Sequence, residues 1–177
     1  MRKNDHERQE KKTNLISVEG RSCLQKEYDF LWEDERPRIV REVSDAAAEG
    51  DRSENASYIY GRKRLREIDS RLKFLGGRLK ALKVALPPAK PLSVSFGCWV
   101  TFEDEEGEER CYQLVGPDEI DVSSGRISID SPVGTALLGK KVDDEVIIRR
   151  PAGNLSATII GISASRMDNL QWTIDNG

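Results

Sequence analysis

Along one stretch of the chain, Leu65, Ile68, Leu72, Leu75, Leu79 and Leu82 recur at alternating spacings of three and four. That rhythm is a heptad seam, the pattern by which one helix buries a narrow apolar stripe against another. An earlier segment carries a weaker stripe of Leu24, Tyr28, Leu31, Ile39, Val40 and Val43, interrupted by Pro37. A proline inside a helical pattern predicts a kink or local break there. Between the stripes stands Ala48-Glu49-Gly50-Asp51-Arg52-Ser53-Glu54-Asn55. Gly50 suits the end of one helix, and Asp51 or Ser53 suits the N-cap of the next. Two helices joined by so short a connection must run antiparallel. A second helix over 54–84 would be about 45 Å long at 1.5 Å per residue, with Gly76-Gly77 weakening it near its base.

The pattern changes at Leu86-Pro87-Pro88-Ala89-Lys90-Pro91, which cannot continue a helix. Beyond it Val94, Phe96, Cys98, Val100 and Phe102 alternate with period two, predicting a half-buried strand. The acidic run Glu103-Asp104-Glu105-Glu106-Gly107-Glu108-Glu109 turns it into a second strand over 111–115. Ile127 and Ile129 mark a third, and 146–148 and 155–162 supply two more. Pro132 opens a short helix that runs to Leu138 and is closed by Gly139. The predicted class is therefore α+β: an N-terminal antiparallel helical hairpin followed by an antiparallel sheet with one short helix. The expected divisions are a disordered tail over 1–16, a coiled-coil domain over 17–86 with its tip at 50–55, a linker over 87–93, a sheet domain over 94–163 and an extension over 164–177.

Composition narrows the chemistry. With 37% hydrophobic and 33% charged residues in a 177-residue chain, the core is thin, which suits an extended molecule. No apolar run reaches the roughly 18–20 residues that span a bilayer, and the N-terminus lacks a signal-peptide apolar region, so a cytoplasmic protein with no membrane partner is expected. Cys23, Cys98 and Cys111 are scattered and form no CxxC, fitting reduced thiols. His6 is the only histidine, which disfavours histidine catalysis and leaves carboxylates as the reactive candidates. The net charge of −3 hides an asymmetry. Residues 21–86 hold 15 basic and 12 acidic side chains, whereas residues 87–177 hold 8 and 15. Within 62–83 there are nine Lys and Arg against Glu67 and Asp69.

Two candidate sites follow. Asp51 and Glu54, three residues apart at a predicted helix start, point the same way and can share a divalent cation, Mg2+ being held typically by one or two carboxylates plus waters and phosphates. The same spacing is also a capping-box variant favoured by the helix dipole, the ordinary structural reading. Two acids alone would not hold Mg2+ tightly, so any catalytic role requires ligands from elsewhere. The second site is the basic run Arg62-Lys63-Arg64-Leu65-Arg66, which offers positive charge to DNA or RNA phosphate or to an acidic protein surface; a solvated helix face is its ordinary reading.

Three ordered motifs are similar to those of the Gre family of bacterial transcript cleavage factors. Gly50-Asp51-Arg52-Ser53-Glu54-Asn55-Ala56-Ser57-Tyr58, continuing through Arg64-Leu65-Arg66-Glu67-Ile68-Asp69, resembles that family's coiled-coil tip and second helix. Leu31-Trp32 followed by Glu35-Arg36-Pro37 resembles its first helix. Ile127-Ser128-Ile129-Asp130-Ser131-Pro132-Val133-Gly134-Thr135-Ala136-Leu137-Leu138-Gly139-Lys140 resembles the signature of its C-terminal domain, with Pro151-Ala152-Gly153 following. The match runs from about residue 17 to 163. Ser57 stands where the family commonly carries another acid, and Arg21 where an aromatic is common.

The resemblance implies an FKBP-like C-terminal domain that docks at the rim of the RNA polymerase secondary channel while the coiled coil enters it. It implies a monomer that is not itself an enzyme and that stimulates cleavage of backtracked RNA by the polymerase. Asp51 and Glu54 would then be the catalytic pair, sharing Mg2+ with the polymerase. Arg52, Asn55, Ser57, Arg62, Lys63, Arg64 and Arg66 would contact the RNA 3' segment or the polymerase. The alternatives are a channel binder that retunes polymerase without cleavage, a peptidyl-prolyl isomerase suggested only by the FKBP-like fold, and a non-catalytic coiled-coil adaptor.

Overall fold

The structure, a computed structural model, describes residues 13–48, 55–151 and 153–166. The chain divides into two units, one of residues Glu19–Leu82 and the other of residues up to Val18 together with those from Lys83 onward.

The first unit is the expected hairpin. Helix α1 (Val18–Asp29) runs through a π-helical segment (Phe30–Glu35) into α2 (Arg36–Ala48), and α3 (Ala56–Ala81) returns alongside. The predicted kink or local break at Pro37 takes the form of this widened segment, which interrupts the α-helix just before the proline. Proline has no N–H, and its ring crowds the carbonyl four residues back. Here the N–H of Arg36 bonds to the carbonyl of Leu31, five residues back, and the looser turn carries the chain past the proline. The pairings Glu27–Arg71, Glu35–Arg64 and Ala46–Asn55 fix the antiparallel register. Leu31, Ile39, Ile68, Leu72 and Leu75 form the buried seam, with Leu24, Tyr28, Val43 and Leu65 packed against it. Val40, expected in the stripe, is exposed. Gly61 lets the helices close: an added Cβ there would lie 2.4 Å from Cγ2 of Val43.

The second unit is built on a five-stranded sheet in the order β5-β4-β3-β7-β6. Its strands are β3 (Trp99–Asp104), β4 (Glu109–Val115), β5 (Arg126–Ser128), β6 (Glu145–Arg150) and β7 (Gly153–Ser163). The sheet is mixed rather than wholly antiparallel, because β5 lies parallel to β4. The long connection between them, turned at Asp121 and Gly125 (φ 74°), returns the chain to the start of its neighbour, as a parallel pair requires. The Asp121 carboxyl is pulled down to about 2 by the hydroxyls of Ser123 and Ser124 and then by their backbone N–H groups. Helix α4 (Pro132–Leu137) is capped by Ser131, whose hydroxyl accepts from the N–H of Gly134. Its Leu137 enters a core with Val100, Phe102, Leu114, Val146, Ile148 and Ile159. Val94, Phe96 and Cys98 are buried as the alternation suggested, but they precede the strand rather than forming it.

One part of this unit departs from the expected division. Residues 13–16, assigned to a disordered tail, include strand β1 (Leu15–Ile16), which pairs in parallel with β2 (Lys83–Val84). Ile16 is fully buried. The backbone N–H of Thr13 donates to Asp130 at 2.7 Å, while the N–H and hydroxyl of Ser17 both donate to Glu119. The Glu119 side chain is 1% exposed and also pairs with Arg126 at 3.0 Å; a buried carboxylate is tolerated when it is paired and hydrogen-bonded. The rest of the tail, residues 1–12, and most of the extension, 167–177, lie outside the described residues.

Gly116 makes room for β1, since an added Cβ would fall 2.1 Å from the carbonyl oxygen of Leu15. Gly116→Ala is expected to destabilise the sheet unit by about 1–3 kcal/mol through overpacking. Thermal melting checks this, and hydrogen exchange should localise the loss to the amides of Lys83 and Ala85, which β1 and its flanks protect.

Candidate functional site

The predicted site lies at the turn of the hairpin, where α2 ends at Ala48 and α3 begins at Ala56. Asn55 ties these ends together. Its side-chain oxygen accepts from the N–H of Tyr58 at 3.2 Å, capping α3, and its amide nitrogen donates to the carbonyl of Ala46 at 2.9 Å. The N-cap is therefore Asn55, not Asp51 or Ser53, and the first turn of α3 contains no acid. The capping-box reading of Asp51 and Glu54 loses its basis, because both precede the cap. Asp51, Arg52 and Glu54 themselves lie outside the described residues. Among the described residues no group of three or more His, Cys, Asp or Glu could hold a metal ion. Asn55 has its oxygen and nitrogen engaged in the turn, so it organises the tip. Ser57 is exposed on the first turn of α3.

The basic run separates into two kinds of side chain. Arg64 is held within the hairpin: its Nε and Nη2 donate to the Glu35 carboxylate at 2.9 and 2.7 Å, and its Nη1 donates to Glu67 at 3.3 Å. The Glu35 side chain is only 10% exposed. The Arg64 pKa is raised, first by Glu35 and then by Glu67. Two donors converging on Oε1 of a nearly buried carboxylate make Arg64 a structural residue first, which its place in the sequence could not reveal. Arg62, Lys63 and Arg66 are exposed. Arg62 reaches back to the Tyr58 hydroxyl at 3.2 Å, with its guanidinium 5.8 Å from that ring, and Arg66 donates to the carbonyl of Arg62.

Farther along α3, Lys63, Arg66, Ser70 and Phe74 line a shallow surface depression of about 670 Å³. Phe74 is 52% exposed beneath the Arg71 guanidinium, 5.3 Å away. Arg71 also grips Glu27 with two bonds of 2.7 and 2.8 Å, and that hydrogen bonding holds the Glu27 carboxyl below its usual value. Positions 63, 66, 70 and 74, spaced three and four apart, share one face of α3, and no sequence signal marked Glu35 as the partner of Arg64. Arginines paired across the seam are thus part of the hairpin's own structure, while Arg62, Lys63 and Arg66 keep their charge at the surface.

Comparison with known proteins assigns both units. Residues 14–84 match the family described as "Transcription elongation factor, N-terminal", and residues 89–164 match "Transcription elongation factor, GreA/GreB, C-term". The transcription elongation factor GreB of Pseudomonas aeruginosa is 56% identical over 142 residues, covering 80% of this chain and 84% of that protein. The GreB of Yersinia pestis is 53% identical over 152 residues, covering 85% and 89%. Among solved structures, a GreA/GreB elongation factor from Nitrosomonas europaea is 25% identical with a TM-score of 0.38, covering 85% of this chain and 99% of that one. The GreA factor homolog 1 (Gfh1) of Thermus thermophilus is 21% identical with a TM-score of 0.39, covering 84% and 97%. The chain belongs to the GreA/GreB family of transcription elongation factors. Within that family it stands close to GreB, as the identities of 56% and 53% over most of its length show.

The two kinds of arginine should behave differently when removed. Arg64→Ala leaves Glu35 nearly buried without its partner and should lower the urea midpoint more than removal of any of its exposed neighbours, though less than breaking a fully buried pair because Arg64 is half exposed. Arg62→Ala, Lys63→Ala and Arg66→Ala should each stay within about 0.5 kcal/mol, as exposed changes usually do. Urea denaturation of the four variants measures the contrast.

Proposed function

We propose that this elongation factor enters the secondary channel of RNA polymerase with the hairpin turn foremost and stimulates Mg2+-dependent endonucleolytic cleavage of backtracked RNA. Elongation then resumes from the new 3' end, in the bacterial cytoplasm where the polymerase works. Polymerase is the partner that membership of this family implies. The observation that carries the reading is the cap: Asn55 starts α3, so the start of the helix rests on Asn55, and Asp51 and Glu54 precede it in the sequence.

Asp51 and Glu54 are the residues that would hold Mg2+ jointly with polymerase carboxylates. The donor set fits, because Mg2+ prefers hard oxygen ligands and tolerates having only one or two from any one chain. When bound, the ion supplies an activated water and steadies the departing oxygen of the phosphodiester. The chain contributes the rest by positioning. The Asn55 bridge between Ala46 and Tyr58 sets the separation of the helix ends that flank the acids. Arg62, Lys63 and Arg66, which are in no ion pair among the described residues, offer charge to RNA phosphates, whereas Arg64 keeps its place on Glu35. The chain acts as a stimulating half-site rather than as a nuclease in its own right.

A stalled, backtracked elongation complex provides the test. Wild type should shorten the RNA from its 3' end in the presence of Mg2+. Asp51→Asn/Glu54→Gln should lower that rate about 100-fold or more, the several kcal/mol that a metal-holding group contributes, while binding to polymerase is retained. Equal cleavage by the double variant would remove the role assigned to the acidic pair, and binding without cleavage by the wild type would identify a channel blocker.

A further inference from the structure

The five-stranded sheet ends at β6, which pairs with β7 on one side and with no other strand among the described residues. An edge of this kind presents a row of unpaired N–H and C=O groups, a template for one more strand. Its sequence is Asp144-Glu145-Val146-Ile147-Ile148-Arg149-Arg150. The order is antisymmetric about Ile147: two acids and an aliphatic residue before it, an aliphatic residue and two arginines after it. Glu145, Ile147 and Arg149 alternate on the exposed side of the strand, while Val146 and Ile148 enter the core. Ile147 is 63% exposed, in register with the small Ser156. Among the described residues, Glu145, Arg149 and Arg150 are in no ion pair.

A strand whose charges are antisymmetric is complementary to itself once a second copy is turned end for end. With Ile147 facing Ile147 in an antiparallel pair, Glu145 stands opposite Arg149 and Asp144 opposite Arg150, each pairing occurring twice. Directly opposed residues share a face, where opposite charges stabilise a pair of strands and like charges oppose it. Neighbouring registers lose this. A slip of one residue turns the two core faces to opposite sides of the joined sheet. A slip of two sets Ile147 opposite Glu145 or Arg149 and leaves no opposite charges facing each other within 144–150. We propose that β6 is a self-recognition edge, along which two copies of this chain pair antiparallel about a twofold axis at Ile147. The contact joins two five-stranded sheets and is isologous, as a twofold interface must be. One strand from each copy is a small interface, so the association is weak and concentration-dependent. The monomer implied by the family resemblance is then the state at low concentration. The pairing uses no residue of the hairpin turn and does not depend on polymerase as a partner.

Sedimentation of the full chain alone provides the test. Wild type should pass from monomer to dimer as its concentration rises through about 0.1–1 mM, the affinity range of a small contact. Glu145→Lys and Arg149→Glu each place like charges opposite one another twice, and each should weaken self-association about tenfold or more. Both positions are exposed, so both variants should melt close to the wild-type temperature. The decisive sample is an equimolar mixture of the two variants. There each reversed charge meets an opposite charge on the other copy, and a mixed dimer should form at about wild-type strength. A chain carrying both substitutions should likewise regain self-association. A wild type that stays monomeric up to about 1 mM overturns the proposal. Self-association that either single variant leaves unchanged also overturns it, by placing the contact elsewhere. Failure of the mixture to restore what the single variants lose overturns the register, and with it the self-recognition edge.

Discussion

The buried contact of Leu31 and Ile39 with Ile68, Leu72 and Leu75 is the interaction on which the hairpin depends. Most helical stability in proteins comes from packing an apolar stripe rather than from the helix itself, and here each helix supplies the apolar partner of the other. The seam holds the helices in antiparallel register, and that register brings Ala46 and Asn55 within one hydrogen bond of each other. A slip along the seam would separate those groups and part Glu35 from Arg64. The geometry of the turn is therefore set by leucines and isoleucines some distance from it.

The seam also sorts the charges. Arginines at its margins, Arg64 and Arg71, are used internally on Glu35 and Glu27, and Arg36 meets Asp69. Those that point away, Arg62, Lys63 and Arg66, stay exposed. Acids are arranged in the complementary way. Asp51 and Glu54 fall in the connection between the helices, before the cap of α3, where helix formation does not require them. In the sheet unit Glu119 is consumed in holding Ser17 and Arg126, while Glu103, Glu109 and Glu145 face outward. Groups that satisfy the fold are thus distinct from groups left available to a partner, the separation expected of a protein that completes a site belonging to another molecule.

Much of this was legible in the sequence because it rests on short-range periodicity. The spacing of Leu65 to Leu82 located the seam, alternation located most strands, and Pro132 with Gly139 bounded α4. The ordered motifs around Asp51, Pro37 and Pro132 pointed to the family that the comparisons establish. What escaped was governed by long-range contacts or by competition between similar local signals. Strand β1 has two residues and is held by Glu119, 102 positions away from Ser17, so no local pattern announces it. Asp51, Ser53 and Asn55 are all good N-caps, and only the reach of Asn55 to Ala46 selects among them. The parallel placement of β5 depends on the path of the 116–125 connection, and the form of the interruption at Pro37 depends on a backbone adjustment rather than on composition. The acidic pair was named from sequence, whereas the cap of α3 at Asn55 became visible only from where that helix starts.

The claim that joins these elements is that Asp51 and Glu54 complete a Mg2+ site together with polymerase. The direct measurement is the Mg2+ concentration for half-maximal RNA cleavage in a backtracked elongation complex, determined without factor, with the wild type and with Asp51→Asn/Glu54→Gln. The account predicts that wild type shifts this concentration downward and that the double variant leaves it at the factor-free value. A wild-type factor that accelerates cleavage with no change in the Mg2+ requirement would contradict it.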